Sequence, residues 1–288
     1  MSSIVRIEEV SFLNRPSGRL LTTHPVVRIE KPFERVQSVG LFPRTRSNGH
    51  VGIRLVVRRL DRGLKKVRLL GRRAPGTAPI GDVPEIEVSF RTGAVVTITA
   101  SARHWLPKAR MGRHRVTWAW FVRSEGRLKP AGFSTVTVYT TPALPNHPWG
   151  RQSSNQTAIP WIEALDLACR WAKGSRTVPE ANAAITRALY GRHDFKYQLF
   201  TSVFTKTSAV AGKRKQYFFR CDEFIESLKK NASQKILGCS DTSSIVCTFA
   251  NLIGGDLGED KMAIGDGKRL SRSGTTSLVK PIGWKSPK

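Results

Sequence analysis

Apolar and polar positions change period once along this chain, near residue 140. Before that point β-branched runs alternate with polar residues between Gly and Pro turns, at 4–7, 26–29, 51–60, 67–70, 86–90, 94–100, 115–122 and 134–139. A period of two belongs to a strand with one buried face. The clearest case is Val116-Thr117-Trp118-Ala119-Trp120-Phe121-Val122, whose even positions put Val, Trp, Trp and Val on one side. Core packing is the expectation for the two tryptophans, with a sugar platform as the alternative. The turn Ser124-Glu125-Gly126-Arg127 predicts a return strand carrying Val136 and Val138. Frequent Gly and Pro turns between such strands predict an antiparallel β-sandwich of immunoglobulin-like type over residues 1–140.

Residues 141–160 form a proline-rich linker, with Trp149 near its end and Trp161 just beyond it as anchors. From 161 to 288 the period becomes helical, which makes the whole chain α+β. Ile162, Leu165, Cys169 and Ala172 form one stripe that stops at Gly174. Thr177-Val178-Pro179-Glu180 reads as a capping box, followed by a helix that stops at Gly191. A mixed strand or loop runs to about Thr207, and a short helix over 222–230 presents Phe224, Ile225 and Leu228. Then comes an apolar lead-in, Gly238, Cys239, and a helix whose buried stripe is Ile245, Val246, Phe249, Leu252 and Ile253. Gly254-Gly255 supplies its stop. After Leu257 the pattern predicts a loop-rich tail with strands near 278–279 and 282–284.

Cys239 is the candidate nucleophile. It stands at or just before a helix N-terminus, a placement that favours thiolate, with Ser240 and Asp241 as caps for the orphan N–H groups. Gly238 is expected to leave room beside the sulfur for a substrate backbone. The plain alternative is a buried cysteine acting as a small hydrophobe, and that is the expectation for Cys169 and Cys247. The run Gly238-Cys239-Ser240-Asp241, with its helix ending Phe249-Ala250-Asn251-Leu252-Ile253-Gly254, resembles the nucleophile segment of the transglutaminase-like (papain-like cysteine) superfamily. The resemblance implies a papain-like domain over 161–288, a Cys-His-Asp triad, a thioester on Cys239, and protein or peptide amide substrates. The family's histidine follows its cysteine, whereas no histidine follows Cys239 here. The resemblance therefore implies a truncated or degenerate copy. Permuted papain-like enzymes carry the histidine first, and His193 resembles that order. Its plainer role is a surface histidine in a polar turn beside Asp194. Asp241 fits a cap better than a triad acid.

Charge adds a second function class. The 288 residues hold 48 Lys and Arg against 21 Asp and Glu, a formal net charge of +27. Residues 1–150 alone hold 26 basic against 9 acidic side chains. Such a field attracts polyanions, so a non-catalytic basic protein binding nucleic acid or another polyanion is the alternative to the thiol enzyme. Compositional bias also accounts for it, because the arginines are scattered. The densest run, 58–73, reads as a basic hairpin or a strand pair with a solvated face. It carries no interleaved aromatics for base stacking. The four cysteines show no CxxC pair and no histidine at ligand spacing, so no metal is expected. No cofactor motif is present either: Met262 and Arg269 break the Walker A spacing. The first residues lack the apolar core of a signal peptide and no run reaches a membrane span, so cytoplasmic residence is the expectation.

Overall fold

In the computed structural model the described residues are 3–12, 39–44, 50–76, 79–91, 93–124, 126–146, 160, 162–192, 194–198, 201–208, 216–229 and 235–257. They belong to two units, Met1–Ala143 and Leu144–Lys288. The expected strands at 26–29, 278–279 and 282–284, and His193, Trp149 and Trp161, lie outside the described residues.

The first unit is built of strands. In chain order they are β1 (Val5–Phe12), β2 (Val39–Pro43), β3 (His50–Arg59), β4 (Lys66–Arg73), β5 (Val83–Ser89), β6 (Val95–Arg103), β7 (Gly112–Ser124) and β8 (Arg127–Thr141). Three make an antiparallel sheet in the order β1-β3-β6, and five make a second sheet in the order β2-β8-β7-β4-β5. The alternation explains which face of each strand is buried. Val51, Ile53, Leu55 and Val57 of β3 are sealed from solvent, as are Val116, Trp118, Trp120 and Val122 of β7, and all join one core. Each such side chain is worth about 1.5–3 kcal/mol of burial. The tryptophans are core, with their polar ends satisfied: Trp118 Nε1 donates to the Gly81 carbonyl at 2.8 Å and Trp120 Nε1 to Ser134 Oγ at 2.7 Å.

Two expectations are corrected here. The second sheet is mixed rather than antiparallel, because β2 runs parallel to β8, with Val39 beside Thr137 and Pro43 beside Thr141. Parallel neighbours need a long crossover, and nearly the whole unit lies between these two strands. The basic run 58–73 is not a hairpin. Its two halves enter different sheets, β3 pairing with β1 and β6, and β4 with β5 and β7. Much of its charge is matched locally: Arg58 pairs with Glu8, Lys66 with Glu87 at 2.8 Å, and Arg68 with Glu85 at 3.6 Å.

The second unit holds α1 (Ile162–Trp171), α2 (Val178–Tyr190), β9 (Phe195–Tyr197), β10 (Thr205–Ser208), β11 (Gln216–Phe219), α3 (Cys221–Lys229), β12 (Lys235–Leu237) and α4 (Cys239–Leu252). The chain as a whole is therefore α+β and mostly sheet. Thr177 Oγ1 caps α2 by accepting from Glu180 N at 3.3 Å, while Glu180 reaches back to Arg176 N at 2.7 Å. Six rings form the core beside α4. Phe224 of α3 is their hub, in contact with Trp171, Phe195, Phe204, Phe219 and Phe249. No helix among the described residues is long and apolar enough to cross a membrane.

Candidate active site

Helix α4 is buried along most of its length, including Thr242, Ser244, Ile245, Phe249 and Asn251. Its first residue, Cys239, is exposed. The other cysteines differ: Cys169 and Cys221 are buried, Cys247 is half-buried, and all four are free thiols. Burial, with a smaller contribution from Asp166, pushes the Cys169 thiol up to about 12. Burial and then Asp222 push the Cys221 thiol up as well. Both shifts run away from the reactive thiolate form.

The turn before α4 shows why Cys239 sits where it does. Gly238 is the helix N-cap, in an extended conformation at φ −95°. A Cβ on it would lie 1.5 Å from the Thr201 carbonyl oxygen, so only glycine admits the Thr201 backbone at this point. This corrects the expectation that Gly238 leaves room for a substrate: the chain's own backbone fills that space. The cap expectation is refined too. Asp241, at the third helical position, is fully buried and accepts from Gly238 N at 3.2 Å. It accepts four further bonds from the 202–205 segment: Ser202 Oγ at 3.3 Å, and the backbone N–H groups of Val203, Phe204 and Thr205 at 2.9, 2.9 and 2.7 Å. Asp241 thus ties a loop to the helix start, and a carboxylate so occupied has no capacity left to orient a histidine.

One functional group beside the sulfur is not revealed by the sequence. Strands β9 and β12 run parallel, with Tyr197 beside Leu237, and Gln198 N donates to the Leu237 carbonyl at 3.0 Å. That register brings the half-buried Tyr197 hydroxyl onto Cys239. Burial, then the Cys239 sulfur and the hydrogen bond to it, hold Tyr197 above the ordinary tyrosine range. This is the direction expected of a phenol that keeps its proton and donates it to sulfur. No local pattern announces such a contact, because strand pairing between distant segments creates it.

Asp194 lies at the other end of the same strand pair, where its carbonyl accepts from Lys235 N at 2.7 Å. Its carboxylate takes a two-pronged ion pair from Arg192, at 2.9 and 2.5 Å, with Lys235 Nζ at 3.5 Å. Arg192 first, and Lys235 less, hold it below the usual carboxylate range. Asp194 is therefore committed to cations. Among the described residues no cluster of His, Cys, Asp and Glu could hold a metal ion. No protein-family model matches the chain, and no curated protein is significantly similar to it.

Proposed function

We propose that the second unit is a transglutaminase-like, papain-type cysteine domain that performs acyl transfer or amide hydrolysis through Cys239. The observation that carries this reading is the one exposed thiol among the described residues, at the first position of an otherwise buried helix. The order of elements agrees with it, since α1, α2 and α3 precede the cysteine helix as in the first lobe of a papain-like domain. The paired sheets of the first unit support an immunoglobulin-like sandwich in front of it, apart from the parallel β2. In the proposed reaction the sulfur attacks an amide carbonyl of a protein or peptide. A C–S bond forms, and the amine leaves with a proton. Water or a second amine then takes the acyl group from the thioester. First-turn N–H groups, which lack intrahelical partners, would hold the oxyanion. The Tyr197 hydroxyl would steady the sulfur between the two steps. His193 is the proposed base.

The test is to trap the thioester. The protein is incubated with a glutamine-containing peptide and a fluorescent primary amine, quenched in acid and mapped by peptide mass spectrometry. The expected result is an acyl adduct on the Cys239 peptide that hydroxylamine removes. Cys239→Ser should abolish it and Cys247→Ser should keep it. Loss of turnover in a folded His193→Gln protein would assign the base. No adduct on Cys239, or equal adducts on Cys239 and Cys247, sinks the reading.

A further inference from the structure

The face of the five-stranded sheet turned away from the core is a separate site, independent of Cys239. Directly paired residues on neighbouring strands share a face, and Trp118, Trp120 and Val122 of β7 point into the core. Ala119, Phe121 and Arg123 therefore point outward. Register sets their neighbours beside them in rows: Arg72 and Phe133 flank Ala119, Leu70 and Pro130 flank Phe121, and Arg68 and Leu128 flank Arg123. Phe133 is 78% exposed and Leu128 36%, while Phe121 and Leu70 are half-buried. With Pro130 they make one contiguous apolar patch, about 14 Å along β7 and about 10 Å across it. Beyond Thr135 the exposure of β8 ends, because Thr137 and Tyr139 on the same face are buried.

Positive charge surrounds the patch. The Arg72 guanidinium lies over the Phe121 ring, 5.6 Å from its centre. Arg115 is exposed on the same face of β7, two rows past Ala119. Among the described residues neither arginine has an acidic partner, while Arg68 and Arg123 share the single carboxylate of Glu85, at 3.6 and 3.0 Å. The matching occupant combines apolar area with negative charge. A second copy of this chain does not, since a formal net charge of +27 repels its own kind. Duplex nucleic acid and polyphosphate carry charge but no apolar surface for Phe133. A protein epitope wants about one hydrogen bond per 100–200 Å², and this face offers few directional groups. Strands β4, β7 and β8 are each paired on both sides, and the Thr117 and Thr135 hydroxyls bond each other at 3.0 Å. A lipid headgroup layer asks only for apolar depth and positive charge.

We propose that this face rests on an anionic lipid surface. Phe133 and Leu128 enter the boundary between headgroups and acyl chains, and Arg72 and Arg115 meet the headgroup phosphates and carboxylates.

The test uses the full chain and extruded vesicles of phosphatidylcholine, alone or with 30% phosphatidylserine, read by co-sedimentation at 100 and 400 mM salt. The vesicles with phosphatidylserine should bind at least tenfold more tightly. Phe133→Ala should weaken that binding about tenfold at both salt concentrations, and Phe133→Trp should keep it, since tryptophan suits the interface. Arg72→Gln and Arg115→Gln should each weaken it about fivefold at 100 mM salt, the share of one cation near an anionic leaflet. Arg54 is exposed on the other sheet, and Arg54→Gln should change the binding less than about twofold. Phe133 is so exposed that its replacement leaves the core intact, which near-UV circular dichroism verifies. Cys239→Ser should bind like the wild type, so failure of the thiol chemistry does not touch this site. Equal vesicle binding by Phe133→Ala and wild type overturns the proposal, as does an Arg54→Gln loss as large as that of Arg72→Gln. So does a Phe133→Ala loss seen with oligo-dT and not with vesicles.

Discussion

At the scale of single residues, buried polar groups set the strictest limits. Asp241 is fully enclosed and its two oxygens take five donors, four of them backbone N–H groups. Asp241→Asn would turn one acceptor into an NH₂ facing those donors. Leaving buried donors unpaired costs about 1–3 kcal/mol each, so the variant should lose about 3 kcal/mol in urea unfolding. Ser202→Ala, which removes the 2.6 Å hydroxyl bond to the Thr205 carbonyl and the longer contact with Asp241 but leaves the four backbone donors in place, should lose only about 1 kcal/mol. His114 gives a pH signature. Burial holds its ring below the ordinary histidine range, partly offset by a hydrogen bond to the Arg110 backbone, and Nε2 lies 2.9 Å from Thr140 Oγ1. The unfolded ring takes its proton near pH 6.5, the folded one only at lower pH. Between those two values the unfolded state binds more protons, so stability falls as pH drops below about 6.5 and levels off beneath the folded value. Urea titrations of wild type and His114→Gln at pH 7.5, 6.5 and 5.5 should show a smaller decline in the variant.

At the scale of elements, what was legible in the sequence was local. The 51–60 run became β3 and the 115–122 run became β7, because alternation alone decides which face is buried. The turn at 124–127 closed the β7–β8 hairpin, with Ser124 paired to Arg127. The Cys239 helix began and ended where its glycines placed it, Gly254 taking a left-handed φ of +95°. Partner choice was not legible. Val39–Pro43 is too short to stand out as a strand, and its pairing with β8 depends on residues far along the chain. Tyr197 reaches Cys239, and Arg72 reaches Phe121, only through such pairings. The ring cluster shows the same dependence. Phe224 looked like one apolar position of a short helix, yet five other rings converge on it. Phe224→Ala should therefore cost about 3–5 kcal/mol, measured as a lower urea midpoint, and should cost more than removal of the half-buried Leu228 on the same helix.

At the scale of the whole molecule, thiol reactivity reports on folding of the second unit. At pH 8 iodoacetamide should label Cys239 in the native protein and leave Cys169 and Cys221 untouched, since both are buried with raised thiols. In 6 M guanidinium chloride all four cysteines should label at comparable rates, as quantified by peptide mass spectrometry; fast native labelling of Cys169 would contradict the packing of α1. The first unit raises a question of time. The chain of β2 leaves the ribosome roughly a hundred residues ahead of β8, a delay of about 5–20 s at ordinary rates of synthesis. Until β8 arrives, β2 has no strand to pair with, and of its two buried side chains, Leu41 and Phe42, only Phe42 has an earlier ring, Phe12 of β1, to pack on. The β7–β8 hairpin, by contrast, can close in microseconds once made. The larger sheet is thus completed backwards, its earliest strand docking last, and the nascent protein should lean on a holding chaperone for that interval.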